Sequence, residues 1–150
     1  MLFQLVATTP DEVGIAALDF YTIGHICMGI AIFLVFSLFY TIPMKSKGDS
    51  RVLMPLWLIW IITVACGIAW EYFENTIFIE LGWKFEGRKD SILNSITDII
   101  FVGVGGLGMW WLAKKLFDKG KYTFLYYFLG ILGFALWIGV FIVLRSATFN

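Results

Sequence analysis

A chain of 150 residues that is 60% hydrophobic, 19% aromatic and only 15% charged carries too little polar surface for a soluble domain of its size. Its formal net charge of zero gives no electrostatic footprint for nucleic acid. Cys27 and Cys66 stand alone inside apolar runs without CxxC spacing, which suits small buried hydrophobes and suggests neither disulfides nor zinc knuckles.

The first fourteen residues, MLFQLVATTPDEVG, lack a basic stretch followed by a cleavage site, so no removable signal peptide is expected. Runs of about 20 apolar residues match a bilayer core roughly 30 Å thick. Four such runs are legible, at about 18–42, 52–79, 92–113 and 122–144. The expectation is an all-α fold, a four-transmembrane-helix bundle forming a single integral membrane domain over 1–150. Such a chain belongs in the plasma (cytoplasmic) membrane as a multi-pass protein.

Segment one opens after Asp11 and Glu12, holds Asp19, Tyr21 and His25 near its start, and ends at Pro43, where a missing N–H costs little. The loop that follows carries Lys45, Lys47 and Arg51, and the third loop carries Lys114, Lys115, Lys119 and Lys121. Placing both in the cytoplasm leaves seven basic residues inside and four outside (Lys84, Arg88, Lys89 and Arg145), with both termini on the extracytoplasmic side. Trp57, Trp60, Trp110 and Trp111 then fall near the inner interface, and Trp70 and Trp83 near the outer one.

Segment two carries no charge over the nineteen residues Val52–Trp70 and then reads WEYFENT, with Glu71 and Glu74 three apart on one helix face. Segment three opens GRKDSILNSITD, so Asp90, Asn94 and Asp98 step by four, with Arg88 just before them. Its VGVGGLG stretch, Val102–Gly108, and the LGILGFALWIG stretch of segment four, Leu129–Gly139, read as close-packing surfaces, because small residues let backbones approach in lipid. Segment four has no acidic residue and no histidine between Tyr122 and Leu144, and is expected to pack outside the polar site. There are no low-complexity tracts and no convincing internal repeat.

An ionisable residue at a membrane helix centre costs about 2.5–3.5 kcal/mol by insertion scales, so such residues usually face protein or water. Here His25, Glu71 and Asp98 lie about two turns from the same ends of alternating helices, which puts them at one level about 5–12 Å below the outer interface. Tyr21, His25 and Gly29 form a third stripe. The expected site is an outward-facing pocket in which Glu71, Asp98 and His25 act catalytically and Glu71, Glu74, Asp90, Asp98 and His25 bind metal. Arg88, Asn94 and Tyr21 are the expected substrate-binding residues. Carboxylates with one imidazole suit a divalent ion such as Mg, Mn or Zn. Acids this close share protons unless a cation compensates. Individually the residues have plainer roles: Glu74 and Asp90 as wet interfacial groups, Asp19 and Asp90 as first-turn partners of the helix dipole, His25 as a backbone hydrogen-bonder.

The order of these motifs, His25, Glu71 and Glu74, Arg88, then Asp90-x3-Asn94-x3-Asp98 running into Gly103 or Gly105, resembles the VanZ-like membrane proteins and, more closely, their YjdF-like inner-membrane relatives over residues 19–108. VanZ-like proteins typically carry Gln where Glu74 stands here. The resemblance implies a small cell-envelope protein, linked in one branch with glycopeptide resistance, and supplies no reaction.

Three functions follow. The first is a metal-assisted enzyme acting on a lipid or polyprenyl phosphate or a related envelope precursor. The second is a proton, cation or small-solute transporter, for which four helices would need to oligomerise. The third is a non-catalytic accessory subunit whose polar cluster fixes helix packing. Membrane lipid is the expected partner, with a homo-oligomer as a further expectation. No ExxH pair of the di-iron type, no D-G-x2-A-R opening and no GxSxG is present.

Overall fold

The computed structural model describes residues 5–46, 49–84, 87–117 and 123–149. Lys47, Lys119, Lys121 and Tyr122, used above to place loops and the start of segment four, lie outside the described residues. Four helices dominate: α1 (Phe20–Thr41), α2 (Leu56–Phe73), α3 (Ile92–Phe117) and α4 (Thr123–Phe149). All four, with α2 counted through Phe78, are long and apolar enough to cross a membrane. A short antiparallel hairpin, β1 (Pro43–Ser46) and β2 (Asp49–Val52), joins α1 to α2 in the register Pro43 opposite Val52.

Local chemistry sets the boundaries. Asp19 starts α1 by accepting from the amides of Tyr21 (2.8 Å) and Thr22 (3.3 Å), while its own amide donates to Thr22 Oγ1. Pro43 stops α1, and the strand pairing then occupies residues up to Val52, so α2 begins after Pro55 rather than at 52. Ser91 caps α3 by accepting from the amide of Asn94 at 3.1 Å. Both α3 and α4 run beyond the expected ends at 113 and 144. Lys114 and Lys115 remain helical because their ammonium groups reach back over the Trp110 and Trp111 rings, at 5.5 and 4.3 Å.

At its C-terminal end α2 passes into a π-helical turn, Glu74–Phe78. The element then closes at Gly82, whose positive φ of 69° lets the Trp83 amide bond back to the Phe78 carbonyl at 2.8 Å. This reversal points the following residues back toward the bundle.

Helix α1 is the centre of the assembly and packs against α2, α3 and α4. Between α1 and α3 the contact is backbone on backbone: a Cβ at Gly29 would fall on the Val102 carbonyl oxygen, and one at Gly105 on that of Ile26. Such approach maximises dispersion contacts, the main attraction available between helices in lipid. The glycines of α4 behave differently. Gly130 presses on Leu34 and Met109, but Gly133 and Gly139 meet nothing within 4 Å. Only the first of the three is a packing glycine in the isolated chain.

Toward the hairpin end the core is apolar, built from Ile30, Phe33 and Leu34 of α1, Ile59 of α2, Met109 and Ala113 of α3, and Tyr126 of α4. The polar residues gather at the opposite end, where α1 and α3 begin and α2 finishes.

Candidate polar and metal site

His25 is the hub of that end. Its Nδ1 lies 2.9 Å from the Tyr21 carbonyl oxygen, which can only accept, so Nδ1 carries a hydrogen. Asp98 Oδ1 of α3 stands 3.4 Å from the same nitrogen. On the far side of the ring Nε2 lies 3.1 Å from Glu71 Oε1 of α2. Three helices thus meet on one imidazole, with His25 and Glu71 each 6% exposed and Asp98 2%. The three residues that spacing alone placed at one level do meet.

The contact between Nε2 and Glu71 Oε1 is close but lacks hydrogen-bond alignment, and both atoms are buried without such a bond. Unaligned buried polar atoms of this kind call for an explanation, an ion among them. Glu74 supplies the third element: one ligand atom each from His25, Glu71 and Glu74 lies within 4.8 Å of the others. Two metal–oxygen bonds of about 2.3–2.6 Å span that distance. The imidazole is already held in the tautomer that a metal ligand needs, with Nδ1–H engaged and Nε2 presented.

Glu74 also accepts from Trp70 Nε1 at 2.9 Å and lies 3.8 Å from Lys84 Nζ. Lys84, brought back by the reversal at Gly82, has a side chain only 2% exposed. It donates to Asp90 and to Asn75 Oδ1 (3.1 Å), and Asn75 Oδ1 also receives the Asp90 amide at 2.7 Å. Asn75 Nδ2 in turn donates to the Glu71 carbonyl (3.1 Å) and to Glu71 Oε2 (3.3 Å). The π-helical turn places these groups, in keeping with the frequent occurrence of such turns at functional sites. Burial pushes the Asp90 carboxyl up from its ordinary value, and the Lys84 ammonium works against that shift.

The remaining expected residues take other positions. Asp90 pairs with Lys84 and stands outside the His25–Glu71–Glu74 group. Asn94 donates to the Ala16 carbonyl (3.0 Å) and to Asp19 Oδ2 (3.3 Å), and Asp19 Oδ2 receives the Gly14 amide at 2.8 Å. Arg88 donates to the carbonyls of Asp11 and Val13, fastening the segment before α1 to the start of α3. Tyr21 lines a cleft beside His25. The polar end is therefore a set of linked networks and a helix-end clamp rather than the single outward-facing pocket expected. Lys84 and Asn75 are the members that spacing did not reveal, since each depends on a turn that departs from α-helical geometry.

A lateral cleft of about 410 Å³ borders the site, walled by Tyr21, Gly24, His25 and Met28 of α1, Trp70 and Glu74 of α2, and Phe134, Ile138 and Phe141 of α4. Helix α4 was expected outside the site; it gives no polar group, yet it forms one wall of this cleft because it leans on α1 over the same turns that carry His25.

No protein-family model, curated protein or solved structure matches this chain. The chemistry of the site rests on its own geometry.

Among the described residues, the buried Asp19, Glu71 and Asp98 and the half-buried Glu74 and Asp90 gather there against Lys84 and His25, with Arg88 turned to backbone carbonyls. A surplus of carboxylates at a buried position favours a bound cation over a free anion.

Proposed function

We propose that this is a divalent-metal-dependent membrane enzyme acting on a lipid phosphate, such as a polyprenyl phosphate or a related envelope precursor. The observation that carries the proposal is the convergence of one ligand atom each from His25, Glu71 and Glu74 within 4.8 Å of one another. Three protein ligands leave coordination positions for water and substrate, the arrangement of catalytic rather than structural sites. His25, Glu71 and Glu74 hold the ion, Mg, Mn or Zn by ligand type. Asp98 and the Tyr21 carbonyl orient the imidazole, and Lys84 holds Glu74 and Asp90 in register. When bound, such an ion neutralises phosphate charge and lowers the pKa of a coordinated water. The setting we propose is the cytoplasmic membrane with the site on the extracytoplasmic side, following the basic-residue bias and the VanZ-like order of motifs.

Metal analysis of protein purified without chelator tests the reading. Near-stoichiometric metal in the wild type and its loss in Glu71→Gln and Glu74→Gln support it; no metal above background after exposure to Mg, Mn and Zn in turn overturns it. Sidedness has its own test. A membrane-impermeant thiol reagent should label Thr8→Cys and not Ser46→Cys in intact cells, and the reverse pattern would turn the site to the cytoplasm.

A second reading, an accessory subunit stabilised by its polar cluster, draws on the pairing of Lys84 with Asp90 and of His25 with two carboxylates. The transport reading has less support. Toward the hairpin end no carboxylate, histidine, lysine or arginine is buried among the described residues; the buried hydroxyls of Ser37 and Thr63 each bond a carbonyl of their own helix, and that of Tyr126 makes no hydrogen bond.

A further inference from the structure

The lateral cleft at His25 does not end beside it. A second cleft of about 310 Å³ lies between α1 and α4 nearer the hairpin end, and Phe134 walls both. On α1 the floor is the stripe Gly24, Met28, Ala31, Val35 and Leu38, spaced by three and four. On α4 the facing stripe is Tyr127, Ile131, Phe134, Ile138 and Phe141, with the same spacing. From Gly24 to Leu38 the helix rises about 21 Å, more than half of a bilayer core roughly 30 Å thick. Sharing Phe134 and these two stripes, the two clefts follow one another along α1 and α4.

Its chemistry is asymmetric. At one end stand His25 and Glu74, the latter 3.8 Å from Lys84 Nζ. The stretch from Ala31 to Leu38 offers aliphatic and aromatic walls, with the Tyr127 hydroxyl already engaged by Ser37 (3.2 Å) and Thr41 (3.1 Å). An occupant that satisfies both ends has one polar head and one long apolar tail.

Polar groups at one end only, beside walls that are apolar along the rest, match a lipid with a charged head and a hydrocarbon tail.

We infer that the α1–α4 groove is the binding channel for the tail of a single-chain lipid phosphate, acyl or isoprenoid, whose phosphate meets the cation held by His25, Glu71 and Glu74. The inference rests on the metal-site reading above and adds the shape of the substrate.

Photolabelling of the full chain in nanodiscs tests it, with hexadecyl phosphate bearing a mid-chain diazirine as probe and Mn present or absent. Mn binding by electron paramagnetic resonance is measured separately on protein without probe. Crosslinks should concentrate on Met28, Ala31, Phe134 and Ile138 and increase with Mn. Met28→Trp and Ile138→Trp, which plug the groove from opposite walls, should each lower groove labelling about tenfold while Mn still binds. Inorganic phosphate should not displace the probe at concentrations that leave Mn bound.

Labelling spread evenly over lipid-facing positions such as Ile100, Val104 and Leu107, with Mn bound as expected, overturns the groove and leaves the metal site standing. Groove labelling with no Mn bound overturns the metal reading and, with it, the placement of the head group. Crosslinks between copies of the chain across the groove, with a dimer in light scattering, overturn the inference in favour of self-association.

Discussion

The two ends of the bundle solve the problem of holding helices together in lipid by different physics. Near the hairpin, packing dominates: Phe33, Ile59 and Ala113 are fully buried. Midway, α1 and α3 touch backbone to backbone at Gly29 and Gly105. At the other end, charges and hydrogen bonds replace close packing, with Lys84 between Glu74 and Asp90 and His25 between Glu71 and Asp98. Dispersion sums over many atom pairs, so the loss of any one contact costs little; a buried charge network fails as a unit when one partner is lost. The contrast teaches where chemistry can be placed, because a site needs groups whose positions are fixed and whose charge is not fully compensated.

The sharpest break in this comparison should come at Lys84. Lys84→Met leaves the half-buried Asp90 and Glu74 without their cation and is expected to cost about 3 kcal/mol in detergent unfolding, the low end for a buried pair, with part of the loss recovered by adding Asp90→Asn. An unfolding midpoint unchanged in Lys84→Met would mean that the ion pair contributes little. At the packing face, Gly29→Val drives a side chain into the Val102 carbonyl, and overpacking of this kind costs about 1–3 kcal/mol. A neutral Gly29→Val would show that α1 and α3 can separate there freely.

Function should respond in the opposite sense. Asp98→Asn removes the carboxylate beside His25 Nδ1 and should weaken Mn binding about 10–100-fold while the fold persists. Combined with Glu71→Gln it should do little more than Glu71→Gln alone, as expected of residues acting as a unit; strictly additive losses would separate the two carboxylates. The smallest effect belongs to a polar contact at the packed end. Tyr127→Phe removes the hydroxyl shared by Ser37 and Thr41 and should cost about 0.6 kcal/mol, the average for such bonds between membrane helices.

Much of the fold was legible because crossing a membrane constrains length and composition more tightly than folding in water does. The helix ends were less so. A sequence does not show that Lys114 and Lys115 lie over tryptophan rings and stay helical, or that residues 49–52 pair back onto the first loop. In the site, His25, Glu71 and Asp98 could be placed at one level because regular helices convert spacing into depth. Lys84 and Asn75 could not, since a π-helical turn and a glycine reversal bring them in. The same limit applies to Arg88, whose partners are carbonyls at Asp11 and Val13. Backbone acceptors carry no signature in a sequence.

Because α1 touches each of the other three helices, the order of synthesis acquires a consequence. The central helix leaves the ribosome before any of its neighbours and enters lipid alone, a step its mean hydropathy of 2.2 favours. During that interval His25 has no carboxylate beside it, and an uncharged imidazole is the least costly form. Glu71 arrives with the second helix and Asp98 with the third, each meeting a partner already in place. Assembly thus adds acidic groups to a waiting base, so no carboxylate of this cluster has to wait unmatched for an imidazole not yet made.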